Sequence, residues 1–332
     1  MFKKFLKACA VGLCLAVIIS VPFTGGTVKA SADGVAEIAM ELESGKILHS
    51  KNIDARLPMA STTKIMTALI IAEDSDLSDV ITVPDAAVGV EGSSIYLKKD
   101  ERISVKDLLY GLMLRSGNDA ACALAIHHSG SVEKFVEKMN EKAKELGAND
   151  THFKNPSGLP DNEHYTTAKD LCNIARHAMS NKIFKEVVST KNYSGDFRHF
   201  LNKNKLLNSL EGANGIKTGY TEKAGRCLVS SSQREDMDVI CVVLNCYDMY
   251  DRSAAIINGC FNKYSLETIS TDTVFEYKGK QCTLDADCKI LVERGKELKF
   301  NVCDTDDGNA FAKLEIYCEN NLIFSRNLYT IK

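Results

Sequence analysis

The chain has 332 residues, of which 45% are hydrophobic and 26% charged, so it is long enough for one large domain and a small one with a substantial core. Its formal net charge is −3, and no block or stripe of Lys and Arg occurs along it. This charge pattern argues against a nucleic-acid partner.

The first 32 residues have the pattern of a secretory signal peptide. Three lysines lie among the first seven residues, a 14-residue apolar run spans 8–21, and Ala30-Ser31-Ala32 provides a small-residue cleavage pattern. A permanent membrane span needs about 20 apolar residues, so cleavage after Ala32 is favoured over an uncleaved anchor. Cleavage removes four lysines and no acidic residue, which changes the formal charge to about −7. The sequence thus predicts an exported protein without a permanent span, and leaves membrane association open.

The next segments predict a sheet built from two distant parts of the chain. Residues 35–50 read as two strands joined by a turn at Ser44-Gly45, and residues 215–246 read as three more strands. The stretch between them is mainly helical from about residue 58 to 190, and another helix is predicted over 251–264. The expected fold is α+β: an antiparallel sheet flanked by helices, with an inserted helical lobe, over residues 33–265.

Residues 266–332 predict a second, smaller domain that is all β. The segment contains several short apolar stretches, and "AKLEIYC-ENN-LIFSRNLYT" reads as a β-hairpin. The domain plan is therefore a signal peptide over 1–32, a large domain over 33–265 and a small β-sheet domain over 266–332.

Cysteine is frequent, but its spacing does not resemble that of a small disulfide-rich scaffold. No Cys-x-x-Cys pair occurs, and we expect mostly buried free thiols, with disulfides as the alternative. Cys241 and Cys246 are predicted on one strand, where an odd separation directs them to opposite faces and prevents a bridge between them. The ten cysteines that follow residue 32 are Cys122, Cys172, Cys227, Cys241, Cys246, Cys260, Cys282, Cys288, Cys303 and Cys318.

Three short motifs occur in an order and setting that point to nucleophilic catalysis. Ser61-x-x-Lys64 lies at a predicted helix start, Ser116-Gly-Asn118 in a break between helices, and Lys217-Thr218-Gly219 on a predicted strand. Each motif alone is weak: Ser131 to Lys134 repeats the first spacing as an ordinary helix cap. Their combination is typical of penicillin-recognising serine enzymes.

The residue types in these motifs fit one chemistry. A serine hydroxyl is a weak nucleophile until a base takes its proton, and Ser61 and Lys64 share a helix face. Lysine is a base only when neutral, and lowering its pKa from about 10.4 to about 7 costs roughly 4.6 kcal/mol. Burial together with the second cation, Lys217, supplies such a shift. Ser116 is expected to relay a proton to the leaving amine, and Asn118 to hold the substrate amide.

The chain resembles the low-molecular-weight penicillin-binding proteins, which are serine-type D-Ala-D-Ala carboxypeptidases. Besides the three motifs, "FKNPSGLPDNEHYTTAKDL" (153–171), "NKNKLL" (202–207) and "GIKTGYT" (215–221) are similar to that family's sequences. The likeness covers roughly residues 35–262. One mild departure is Tyr220, where the family often has histidine.

The resemblance implies a β-lactamase/transpeptidase-like fold and specific roles for the motif residues. Ser61, Lys64 and Ser116 would be catalytic. The substrate-binding residues would be Asn118, Lys217, Thr218, Gly219 and Tyr220, with Lys217 and Thr218 on a terminal carboxylate. The backbone N–H groups of Ser61 and Tyr220 would form the oxyanion hole.

The resemblance also implies the partners and the reaction. The substrate would be a peptidoglycan stem peptide ending in D-Ala-D-Ala, cleaved through an acyl-enzyme on Ser61 that β-lactams would also form. The enzyme would act at the outer face of the cell envelope and would need no cofactor. We also expect no metal site, because the histidines lack metal-binding spacing.

Two alternatives remain at this point. A β-lactamase would share the acylation step, but no Glu-x-x-Leu-Asn stretch occurs between residues 118 and 217. A non-catalytic wall-binding protein would keep the fold, although all three motifs are intact. Among other candidates, His164 is expected to form a structural hydrogen bond, Asp119 to start a helix, and Arg198 is a weak candidate for carboxylate binding.

Overall fold

The computed structural model describes residues 34–195 and 198–331. The predicted signal peptide over residues 1–32 lies outside this part of the chain. Within the described ranges, no helix combines the length and apolar character needed to cross a membrane.

A five-stranded antiparallel sheet forms the centre of the part of the chain that the sequence predicts as the large domain. Its spatial order is β2-β1-β9-β8-β7, so the first two strands join three strands from nearly 200 residues later, as the sequence predicted. β1 and the inner part of β9 are buried on both faces. This explains the continuous apolar run of β9, whereas β1 includes the buried Glu37 and Glu41. The strands are β1 (Ala36–Glu41), β2 (Ile47–Lys51), β7 (Ala213–Thr221), β8 (Gly225–Arg234) and β9 (Met237–Leu244).

Helices fill the chain between β2 and β7 and cover one face of this sheet. Side chains cap two of these helices, at positions where Ser and Thr are typical of a helix start: the Ser104 and Thr167 hydroxyls accept from the backbone N–H groups of Asp107 and Asp170. The helices are α1 (Lys64–Asp74), α2 (Val105–Tyr110), α3 (Asn118–Ser129), α4 (Val132–Glu145), α5 (Ala168–Ser180), α6 (Lys182–Ser189) and the short α7 (Leu206–Ser209). Two small two-stranded sheets, which the sequence did not predict, lie between them: β3 (Val80–Thr82) with β4 (Arg102–Ser104), and β5 (Asn192–Ser194) with β6 (His199–Leu201).

Helix α1 lies at the centre of the helical lobe. Every residue from Lys64 to Ala72 is buried, and α1 contacts α3, α5 and strand β7. A helix that is buried on all sides carries little amphipathic pattern, because each face meets other elements. The position of α1 places its first turn between the helices and the edge strand β7.

The opposite face of the sheet is covered by α8 (Met249–Lys263). Its buried residues pack on side chains from β8 and β9 in a second apolar cluster. Helices on both sides of an antiparallel sheet confirm the predicted α+β fold class. The predicted helix 251–264 was shifted by one to two residues, because Tyr264 begins the next strand.

The C-terminal part is all β, as predicted. A five-stranded sheet has the order β11-β12-β16-β15-β14, and β10 pairs with β13. The predicted hairpin forms between β15 and β16, whereas β10 and β12 were not predicted. The predicted boundary after residue 265 falls inside β10. The strands are β10 (Tyr264–Ile269), β11 (Phe275–Tyr277), β12 (Lys280–Thr283), β13 (Cys288–Glu293), β14 (Leu298–Cys303), β15 (Ala312–Cys318) and β16 (Asn321–Thr330).

The ten cysteines of the described chain are all free thiols, and seven of them are buried. This agrees with the expectation of mostly buried thiols. The placement of Cys246 on the same strand as Cys241 was wrong, because β9 ends at Leu244 and Cys246 lies in the following loop. The alternation of faces along a strand therefore says nothing about this pair.

Candidate active site

The predicted nucleophile lies in a short 3₁₀ turn that leads into α1. This turn spans Ala60–Thr63, and Ala60 adopts a left-handed backbone conformation with φ of +47°. The Thr63 hydroxyl donates to the Ala60 carbonyl at 2.8 Å, which helps to hold this conformation. Gly158 packs directly on the same carbonyl, and a Cβ at position 158 would collide with it. The turn that carries Ser61 is therefore fixed from both sides.

Lys64, the first residue of α1, is completely buried, with 0% of its side chain exposed. Its Nζ lies 3.0 Å from the Ser61 Oγ, 2.7 Å from the Asn118 Oδ1 and 2.5 Å from the Ser157 carbonyl oxygen. Helix α1, the start of α3 and the loop at 155–159 thus converge on one amine. The structure brings the predicted serine and lysine into direct contact.

The three partners determine what a neutral Lys64 amine would do. A carbonyl oxygen only accepts hydrogen bonds, and the Asn118 amide is oriented because its Nδ2 donates to the Glu91 carbonyl at 2.6 Å. The two N–H groups of a neutral amine would therefore point to Asn118 and Ser157. Its lone pair would then face the Ser61 hydroxyl, which is the geometry of a general base.

The surroundings lower the pKa of Lys64 well below its ordinary value. Burial is the main cause, followed by the positive charges of Lys217 and Lys203, while Asp119 acts in the opposite direction. No carboxylate forms an ion pair with Lys64 or Lys217 in the described part of the chain. A buried lysine that meets other cations rather than carboxylates is stabilised in its neutral form.

The second motif lies where the chain passes from α2 to α3. A π-helical turn, Gly111–Arg115, ends at Ser116, whose φ is +66°, and α3 begins at Asn118. Ser116 and Asn118 are both buried. The Asn118 side chain links Lys64 to the Glu91 carbonyl, so it positions the amine. A contact with the substrate amide stays a prediction.

The third motif lies on β7, the edge strand of the sheet, alongside the Ser61 turn. Lys217 is 2% exposed, and its Nζ donates to the Thr218 carbonyl at 2.9 Å. Burial, with a smaller effect of Lys203, lowers the pKa of Lys217 to about 7. A Cβ added to Gly219 would lie 3.1 Å from the Ser61 backbone N, so glycine permits this close approach. Tyr220 follows with its ring 64% exposed.

Lys203 is a residue of this site that the sequence analysis did not single out. It lies between β6 and α7, its Nζ is 3.5 Å from the Ser93 Oγ, and its charge lowers the pKa of both Lys64 and Lys217. Burial and the nearby Arg115 lower the pKa of Lys203 itself. The segment "NKNKLL" was noted as a resemblance, but nothing in its pattern distinguishes Lys203 from Lys205.

The loop at 155–159 was also missed as part of the site, because it contributes through its backbone. The Asn155 Oδ1 accepts from the backbone N–H groups of Ser157, Gly158 and Leu159 at 3.2, 2.7 and 3.0 Å. These bonds hold the Ser157 carbonyl against Lys64. The Asn-Pro-Ser-Gly-Leu sequence was the available signal.

The three minor candidates have structural partners. The His164 Nδ1 accepts from the Lys154 backbone N–H, so its Nε2 carries the proton and donates to the Thr63 hydroxyl at 2.7 Å. Burial lowers the pKa of His164 to about 4, and its expected structural role is confirmed. Arg198 pairs with Glu101 and donates to the Ile95 carbonyl, so the suggestion that it binds a substrate carboxylate is not supported.

Asp119 lies in the first turn of α3, as predicted, and also anchors the loop beside the site. Its carboxylate accepts from the backbone N–H groups of Ile95 and Leu97 and from the Ser94 hydroxyl. Over residues 34–195 and 198–331, no cluster of three or more His, Cys, Asp and Glu side chains has the arrangement of a metal site.

Known proteins match this chain over most of its length. The sequence profile of the family described as D-alanyl-D-alanine carboxypeptidase matches residues 25–248. The D-alanyl-D-alanine carboxypeptidase DacF of Bacillus subtilis (strain 168) is 34% identical over 312 residues, which cover 89% of this chain and 77% of that protein. The D-alanyl-D-alanine carboxypeptidase of Streptomyces sp. (strain K15) is 38% identical over 238 residues, covering 65% of this chain and 82% of that protein.

The crystal structure of the D-alanyl-D-alanine carboxypeptidase DacD from Francisella tularensis superposes with a TM-score of 0.74 at 27% identity, covering 90% of this chain and 92% of that one. The matched segment contains all three motifs, and the structural likeness extends into the C-terminal strands. These matches confirm the resemblance inferred from the motifs: the chain belongs to the D-alanyl-D-alanine carboxypeptidase family of serine peptidases.

Proposed function

We propose that this chain is exported and removes the terminal D-alanine from peptidoglycan stem peptides through an acyl-enzyme on Ser61. The observation that carries the proposal is the contact between the Ser61 hydroxyl and the buried Lys64 amine, whose other two partners are carbonyl oxygens. Membership of a family of D-Ala-D-Ala carboxypeptidases supports the choice of substrate. Export is supported by the signal-peptide pattern of residues 1–32.

In the acylation step, the Ser61 Oγ attacks the carbonyl between the two alanines while the Lys64 Nζ takes its proton. The oxyanion that forms lies near the backbone N–H groups of Ser61 and Tyr220, which the close approach of Gly219 to Ser61 supports. The C–N bond then breaks, and the leaving D-alanine amine receives a proton through Ser116. Water attacks the ester with Lys64 as base, which releases the shortened peptide and restores Ser61.

Recognition of the terminal carboxylate explains why two further lysines surround the base. Lys217 and Thr218 bind the carboxylate, and the nearby positive charge of Lys203 attracts it. In the free enzyme Lys217 has a pKa of about 7, so it is only partly charged at neutral pH. A bound carboxylate raises that pKa and fixes the positive charge on Lys217. That charge in turn keeps Lys64 neutral, so substrate binding favours the reactive state of the base.

The same arrangement predicts reaction with β-lactams. Their strained amide presents a carbonyl beside a carboxylate, which matches the terminal dipeptide in the two features that the site recognises. Ser61 would open the ring and retain the product as an ester, because the ring nitrogen stays attached to the acyl group and blocks the approach of water.

The proposal is tested with a purified stem pentapeptide and an assay for released D-alanine. We expect release by the wild type and none above background by Lys64→Ala, with Lys142→Ala as the matched control on the surface helix α4. After penicillin treatment, mass spectrometry should find one adduct, on Ser61. Release that survives Lys64→Ala, or an adduct on another residue, would contradict the mechanism. Fast turnover of a chromogenic cephalosporin without D-alanine release would instead indicate a β-lactamase.

A further inference from the structure

A groove of about 520 Å³ begins where the Lys217-Thr218-Gly219 motif ends, and the mechanism above makes no use of it. It is lined by Tyr220, Gly225, Arg226, Asn245, Tyr247 and Met249. Tyr247 is 85% exposed, so most of its surface is open to a ligand. The groove therefore combines two tyrosines and a methionine with polar groups and one cation, Arg226.

The groove is continuous with the active site through the strand pairing. Tyr220 on β7 is the direct cross-strand partner of Arg226 on β8. The backbone N–H of Cys246 donates to the Arg226 carbonyl at 2.8 Å, which ties the loop after β9 to the same place. Opposite residues of an antiparallel pair share a face of the sheet, so Tyr220 and Arg226 project side by side.

The direction of a bound substrate along β7 leads into this groove. Under the proposed function, the terminal carboxylate lies at Lys217 and Thr218 and the scissile carbonyl lies at Ser61 and Tyr220. The upstream part of the stem then continues past Tyr220, at about 3.4 Å per residue along the strand edge. A peptide on that edge lies roughly 10 Å from β8, since strands are about 4.8 Å apart. Arg226 and a long side chain of the peptide together span that distance.

The guanidinium of Arg226 has no carboxylate partner in the described chain, so it can bind a charged side chain of the peptide. Its guanidinium lies 5.3 Å from the centre of the Tyr247 ring, and it forms no ion pair with any carboxylate of the described chain. The acidic residues of the adjoining turn and loop are Glu222 and Asp248, and neither pairs with Arg226. The Asp248 carboxylate instead accepts from the Cys246 thiol at 3.3 Å. A guanidinium that is stacked but unpaired is suited to bind a carboxylate from a ligand.

We propose that this groove is a subsite for the third residue of the stem peptide, and that Arg226 makes the enzyme prefer a residue whose side chain ends in a carboxylate over one that ends in an amine alone. The inference rests on the proposed function, since it needs the stem peptide bound along β7. Tyr220 and Tyr247 contact the aliphatic part of that side chain. Arg226 binds its carboxylate and repels the ammonium group of a lysine.

Two pentapeptides that differ by one carboxylate test the proposal: one carries L-lysine at the third position and the other carries 2,6-diaminopimelate. We expect the wild type to cleave the carboxylate-bearing peptide with a kcat/KM about fivefold higher, the size of a good exposed ion pair. Arg226→Gln should bring the ratio close to one, and Arg226→Glu should reverse it. Lys299→Gln, which removes an exposed charge from β14, should leave the ratio unchanged.

The outcomes separate this inference from the proposed function. Equal kcat/KM values for the two peptides, or a preference that survives Arg226→Gln, would overturn the subsite while D-alanine release still supports the carboxypeptidase. No release from either peptide would overturn the proposed function itself. The rate of Ser61 acylation by penicillin, which lacks the third residue, checks that each variant is folded and reactive. Detectable acylation of each Arg226 variant shows that its Ser61 turn is intact.

Discussion

Charged side chains are buried in two parts of the large domain, and their partners differ completely. At the active site, Lys64 and Lys217 are buried with other cations nearby, and the pKa of each is lowered. On the far side of the sheet, Glu37 of β1 is 2% exposed but accepts two hydrogen bonds from Arg252, at 2.8 and 2.6 Å, and contacts His49 at 2.9 Å.

The comparison separates Glu37, a buried charge that stabilises the fold, from Lys64 and Lys217, the buried amines that we propose act in catalysis and substrate binding. The bonds from Arg252 lower the pKa of Glu37 to about 2, so its charged form is the stable one and nothing is left for a ligand. The lysines lack such a partner, so their burial opposes folding and leaves one amine neutral beside a hydroxyl. Unfavourable burial of this kind is typical of catalytic groups.

The largest expected effect is the loss of acylation on removing the amine at position 64. Lys64→Met keeps the volume of the side chain and removes the base, so the rate of Ser61 acylation by penicillin should fall by about 10³ or more. Because the wild-type amine is buried without a countercharge, the free energy of unfolding should stay the same or increase. Stopped-flow acylation and urea denaturation measure the two quantities. A large loss of stability would mean that Lys64 is structural, as Glu37 is.

Glu37→Gln should lower stability and leave catalysis unchanged, which is the opposite of the result expected for Lys64→Met. The change removes the charge that Arg252 binds. The pKa of Glu37 is lowered from 4.5 to about 2, which sets an upper limit of about 3 kcal/mol on the loss in the free energy of unfolding. Arg252 is partly exposed to solvent, so we expect a loss of about 1–2 kcal/mol. The kcat/KM of the folded enzyme should not change.

The pH dependence provides an independent check on Glu37. A lowered pKa in the folded state contributes stability above the unfolded value of about 4.5, and this contribution disappears as the pH falls toward 2. Thermal unfolding followed from pH 6 to pH 2 should therefore show a smaller acid destabilisation in Glu37→Gln than in the wild type. Parallel curves would contradict the role of the Glu37–Arg252 pair. Glu267→Gln, on the exposed part of β10, is the control.

Much of this fold and site could be predicted from sequence, where the signal was local. The strands at both ends of the large domain, the caps at Ser104 and Thr167, and the contact of Ser61 with Lys64 follow from periodicity, capping chemistry and helix geometry. The three motifs lie on three of the elements that meet at the candidate site: the turn before α1, the start of α3 and strand β7.

The parts that could not be predicted depend on long-range contacts or on the backbone. The Ser157 carbonyl binds Lys64 through a group that every residue possesses. Lys203 acts through its charge from another segment, and a lysine in a polar sequence resembles any surface lysine. The second role of Asn118, as a partner of Lys64, required the geometry of α1 against α3. Strand β12 was missed because its four residues are too short for a periodic pattern.

The smallest effect is expected at Lys203. It tests whether the cations around Lys64 lower the pKa of that base. The kcat/KM of the free enzyme requires a neutral Lys64 and a protonated Lys217, so it should rise with pH as Lys64 loses its proton and fall above about 7 as Lys217 does. Lys203 lowers both pKa values, so Lys203→Gln should move both limbs of the profile to higher pH. We also expect kcat/KM at the pH optimum to fall roughly fivefold, because the variant lacks one cation that attracts the terminal carboxylate of the substrate. Lys205→Gln, two residues away and without these effects, should keep the wild-type profile. No shift in Lys203→Gln would mean that the charge of Lys203 does not lower the pKa of Lys64 or Lys217, and an equal shift in Lys205→Gln would mean that the effect is not specific to position 203.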